Sequence, residues 1–75
     1  MKATLTFNLP EENDEFILAT RGSNLYRAIW DYDQELRKLL KYGDLPADLY
    51  DLYEKIRTQL HDHLEAHDVS LDMVD

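Results

Sequence analysis

No cysteine occurs in the chain, and only two glycines, two prolines and one tryptophan. Without cysteine there is no disulfide to brace a small fold and no thiolate site for a metal. With so few glycines and prolines, little of the chain is built from tight turns, so long regular elements are expected. A long apolar run is also missing: "MKATLTFNLP" alternates polar and apolar residues, unlike a signal peptide, and no stretch reaches membrane-spanning length. These features predict a soluble intracellular protein, placed in the cytoplasm. A cluster of positive charge is absent too, although a nucleic-acid backbone would require one.

What is present is acid at both ends. The 75 residues carry 16 Asp and Glu against 8 Lys and Arg, for a net charge of −8. Glu11, Glu12, Asp14 and Glu15 crowd one end, and Asp62, Glu65, Asp68, Asp72 and Asp75 the other, while the segment from Arg21 to Arg57 is balanced. A chain of this length makes one domain, spanning 1–75, and buries only about 60% of its unfolded surface. Self-association is the usual remedy for so thin a core when disulfides and metals are lacking, so a homo-oligomer is expected. Hydrophobic content of 44% places the chain among folded proteins.

Ala3, Leu5, Phe7 and Leu9 alternate with Lys2, Thr4, Thr6 and Asn8, the period of a half-buried strand. Pro10 ends it, and "PEENDEFILATRG" reads as a short first helix with acids in its opening turns and Gly22 as its stop. Ser23 is a natural N-cap for a second helix running from Asn24 to about Tyr42. Leu25, Ile29, Tyr32, Leu36 and Leu39 or Leu40 supply its apolar stripe. Gly43 closes that helix and Pro46 starts a third, in which Leu49, Leu52 or Tyr53, Ile56, Leu60 and Leu64 recur at helical spacing. The short connection makes the second and third helices an antiparallel hairpin. The last segment, "DVSLDMVD", alternates at Val69, Leu71 and Met73 and fits either a second strand or a tail. The fold class predicted is α+β, mostly α: one N-terminal strand followed by three helices.

Three features bear on function. His63 and His67 stand at the i, i+4 spacing that can hold a metal, but Leu64 occupies the place of the metalloprotease glutamate, and His61 lies on another side of the helix. Solvated histidines at a helix end explain them as well, and no metal or cofactor is assigned. No serine elbow, phosphate loop or marked carboxylate pair appears, so no catalytic residue is assigned and the chain is read as a non-enzyme. The strongest candidate is "LYRAIWDYDQELRKLLKYG", where Tyr26, Trp30, Asp33 and Arg37 share a flank beside the core stripe. Asp33 is spaced to pair with Arg37. With Arg27, Lys41 and Tyr42 this flank is a candidate interaction patch, rich in the residue types that dominate binding hot spots. Covering the core edge is the plainer role for it. Glu11, Glu12, Asp14, Glu15, Asp48 and Asp51 form acidic surface that either confers solubility or attracts a basic partner.

With "FNLPEENDEF", "IWDYDQELRKLLKYG" and "LHDHLEAHDVSLD" in view, the chain resembles a group of small acidic proteins of tailed bacteriophages. The pattern Asp-x-Asp-x-x-Leu-Arg-x-x-x-Lys-Tyr is met here by Asp31, Asp33, Leu36, Arg37, Lys41 and Tyr42. The resemblance carries no catalytic residues. It implies an early accessory factor that binds a host or phage protein, with counter-defence as its purpose. Two alternatives stand beside it: an oligomer that sequesters a nucleotide signal through the aromatic and basic residues of the flank, and a structural or replication accessory protein.

Overall fold

The structure, a computed structural model, describes residues 1–74. It consists of two helices, α1 (Asn13–Tyr42) and α2 (Ala47–Ala66), and no strand occurs among the described residues. The α+β reading is thereby corrected. Residues 1–8 form no ladder, because a strand requires a partner for its N–H and C=O groups and the C-terminal segment does not supply one. Phe7 instead lays its ring edge-on against Phe16 of α1, with centroids 5.8 Å apart.

The second correction is at Gly22 and Ser23. Neither interrupts the chain: the predicted first and second helices are one helix of 30 residues. A glycine inside a helix costs only about 1 kcal/mol relative to alanine, which a continuous hydrogen-bond ladder offsets. The entry to α1 is made by Glu12, whose carboxylate accepts the Asn8 N–H at 3.0 Å and whose own N–H donates to the Asn8 carbonyl at 2.8 Å.

Gly43 ends α1 by donating its N–H to the Leu39 carbonyl, and Asp44 adopts the left-handed conformation, φ 51°, that aspartate tolerates. Pro46 then precedes α2, as the sequence predicts. At the far end Asp68, φ 59°, is the left-handed residue of a Schellman motif: Val69 N–H reaches the Leu64 carbonyl at 2.9 Å and Asp68 N–H that of Glu65 at 3.0 Å. This turn sends the chain back toward α1, where Leu71 is buried and Tyr26 Oη donates to the Leu71 carbonyl at 2.7 Å. The segment 69–74 is therefore a packed tail rather than a strand, and Asp75 lies outside the described residues.

Tyr26 meets Leu71, and Asp33 meets Arg57 and His61, so α1 and α2 run antiparallel. α2 has 20 residues and α1 has 30. The N-terminal part of α1, before Tyr26, thus projects about 20 Å past the end of α2. The molecule is elongated, 53 × 28 × 18 Å. Its core is small: Leu36 and Leu71 are the buried apolar residues among those described. Leu25, Tyr32 and Leu39, expected in the core stripe, are exposed, as are Leu49 and Leu52 of α2.

Candidate functional site

The most deeply buried side chain near the seam is polar. Asp33 is 2% exposed and sits at the middle of the hairpin. Arg57 grips it with both edges of its guanidinium, Nε to Oδ1 at 2.9 Å and Nη2 to Oδ2 at 3.1 Å. His61, one turn further along α2, places Nε2 2.7 Å from Oδ1. The Arg57 hydrogen bonds hold the Asp33 carboxyl below the usual carboxylate range; burial opposes them, and the His61 contact adds to them. The same pairing raises the Arg57 guanidinium above its ordinary value. A carboxylate so fully engaged is a clamp between helices rather than a free acid or base.

The sequence places Asp33 on the interaction flank and spaces it to pair with Arg37. The structure buries it and pairs it across the seam instead. Arg57 and His61 are themselves at i, i+4, a basic pair set among Ile56, Leu60 and Leu64, all half-buried. That polar pair within an apolar stripe was the signal for the contact.

Around this clamp one side of the hairpin is polar and aromatic. Arg37, Leu40 and Lys41 of α1 and Tyr50, Glu54, Arg57, Thr58, His61 and Asp62 of α2 line an open groove of about 600 Å³. A second groove, about 590 Å³, continues along the same side of α1 between Tyr26, Arg27 and Trp30 and the tail residues Met73 and Val74. The tail therefore covers part of the Trp30 flank, and Trp30 remains 42% exposed.

Of the predicted patch, Tyr26, Arg27 and Trp30 share the second groove and Arg37 and Lys41 line the first. Tyr42 stays outside both grooves, exposed at the helix end with the Lys41 ammonium 5.8 Å from its ring. The acidic residues Glu11, Asp14, Glu15, Asp48 and Asp51 are exposed, while Glu12 is half-buried by its turn. Among the described residues no group of three His, Cys, Asp or Glu side chains is placed to hold a metal ion, and no helix is long and apolar enough to cross a membrane. No family model, curated protein or solved structure matches the chain.

Proposed function

We propose that this chain is a non-enzymatic accessory protein of the bacteriophage type that binds and modulates a host macromolecule in the cytoplasm, with counter-defence as its role. The observation that carries the reading is that Tyr26, Arg27 and Trp30 line one open groove and Arg37 and Lys41 another, on the same side of α1. An exposed tryptophan between cationic side chains is the make-up of a binding hot spot. The Tyr26–Leu71 hydrogen bond and the tail hold this side in one shape, which lowers the ordering cost of docking. The acidic residues at the start of α1 and on α2 add a field that speeds capture of a partner bearing basic charge.

The test is retention of a host protein by the wild-type chain, followed by titration of that purified protein with Trp30→Ala and Arg27→Glu. Loss of about tenfold or more in affinity, with helix content unchanged, is the expected result. Binding that ignores both substitutions refutes the assignment of this side.

One observation favours a second reading. The first groove gathers Arg37, Lys41, Arg57 and His61 with Tyr50, against the two acids Glu54 and Asp62, so the basic side chains outside the clamp, Arg37 and Lys41, are the ones that would meet an anionic ligand with a flat base. Sequestration of a nucleotide signal would use it. Calorimetry against nucleotides decides, and Arg37→Ala would abolish the heat of binding if this reading holds.

A further inference from the structure

A compact protein of 8.9 kDa exposes about 4,800 Å² of surface. This chain exposes 6727 Å². The excess, about 1,900 Å², is more than twice the roughly 800 Å² that each partner loses in a standard protein interface. Where it lies is specific. Leu18, Leu25, Tyr32 and Leu39 of α1 are 68%, 58%, 55% and 39% exposed, and they recur at intervals of seven residues. Seven-residue spacing is the repeat of helices that wind around one another in a left-handed supercoil.

At about 100° per residue this stripe lies about 100–180° round α1 from Arg37, Lys41 and Trp30, on the other side of the α2-facing line. Leu49 and Leu52 of α2, both exposed, fall on that same side, away from Tyr50, Glu54 and Thr58. The apolar and polar sides are thus separate, and the apolar one extends onto the part of α1 that α2 does not reach.

We infer that the occupant of this apolar side is a second copy of the chain, packed so that the two α1 helices run antiparallel with the two-fold axis beside Ala28. The register follows from the residues. Setting the axis between Ala28 and Ile29 places Leu18 opposite Leu39 and Leu25 opposite Tyr32, each twice by symmetry. One turn on from Leu18, toward Leu25, stands Arg21, and one turn on from Tyr32, toward Leu39, stands Glu35. In this register Arg21 of each copy lies within one residue of the level of Glu35 of the other, in reach of an ion pair, and Ala28 allows close approach of the helices beside the axis. Among the flanking positions Asn24 lies nearest Asp31 and Ile17 nearest Lys38, so no like charges oppose. Ala28 is also near the midpoint of α1, so the two 30-residue helices overlap along their full length. The projecting end of one copy, with Ile17 and Leu18, then lies along Leu49 and Leu52 of the other. Each chain supplies what the other's hairpin lacks, and the polar grooves of both copies remain facing outward.

Sedimentation equilibrium on the full chain tests this. The wild type should have twice its 8.9 kDa mass. Arg21→Glu, exposed and outside both grooves, should weaken the dimer by about tenfold or more by opposing two acids at two places. Adding Glu35→Arg to it should restore the dimer, which a folding defect would not allow. Because the chain has no cysteine, Ala28→Cys should link two copies on oxidation, while Thr58→Cys on the opposite side should not. A wild-type chain that stays at 8.9 kDa at its solubility limit overturns the inference, including the case in which Leu25→Glu instead loses a different protein partner. A dimer indifferent to Arg21→Glu, or linked as well through Thr58→Cys as through Ala28→Cys, overturns it too.

Discussion

Replacing Asp33 by asparagine tests whether a buried charge, rather than apolar burial, sets the pairing of α1 and α2. The carboxylate accepts two hydrogen bonds from Arg57 and contacts His61. Removing one member of a fully buried ion pair costs roughly 3–5 kcal/mol, because the other is left uncompensated. Here the side chains of Arg57 and His61 are 30% and 44% exposed and can turn into the groove toward water. That relief lowers the expected loss to about 2 kcal/mol. The assay is urea unfolding followed by helical circular dichroism, at one fixed protein concentration so that any association is held constant. Replacing both partners, Asp33→Leu with Arg57→Met, should recover most of the loss, since an apolar pair leaves no stranded charge. The acid branch provides an independent check. With its folded value depressed, the Asp33 carboxylate stabilises the fold above its unfolded value near about 3.9, and that stability is lost as pH falls through the folded value. The wild type should show this acid loss and Asp33→Asn should not. A change below about 0.5 kcal/mol for Asp33→Asn, within the range of ordinary surface substitutions, would refute the reasoning.

Gly22→Ala should raise stability by about 1 kcal/mol in thermal melts, since a Cβ there meets nothing within 4 Å and the helix gains propensity; a loss would mean that the helix breaks at Gly22. Tyr26→Phe removes the hydroxyl that binds the Leu71 carbonyl and should cost about 1 kcal/mol, with faster proteolysis of the tail as its local readout. Leu36→Ala, at one of the few buried apolar positions, should cost roughly 2–5 kcal/mol in the same urea assay.

The hairpin and the start of α2 were legible because Pro46 opens that helix and an apolar stripe runs along it. The N-terminal strand was misread because alternation from Ala3 to Leu9 reports only that a strand could be half-buried, and whether a ladder partner exists is not local information. Gly22 followed by Ser23 has the chemistry of a helix stop and a cap, yet the cost of continuing through glycine is small enough for the longer ladder to win. The stripe of α1 was legible as apolar but not as double. Ile29, Leu36 and Leu40 face α2, while Leu25, Tyr32 and Leu39 belong to a separate line spaced by seven. Helical periodicity alone merges two neighbouring lines into one broad face. Helical spacing puts Tyr26 and Trp30 on one flank, and the cover that flank receives from Leu71, Met73 and Val74 lay in a segment whose pattern fitted strand and tail equally.

In the dimer inferred above, the first 13 of the 30 residues of α1, beyond the reach of α2, are held by a second copy. Amide hydrogen exchange, read residue by residue along α1 at high protein concentration, addresses it most directly. An unsupported helical end of about 13 residues frays in water. Protection should run without a break from about Leu18 through Gly22 to Leu40 in the wild type and be lost before Tyr26 in Arg21→Glu. Protection that begins only near Tyr26 in the wild type, with residues 13–25 exchanging freely, would contradict it.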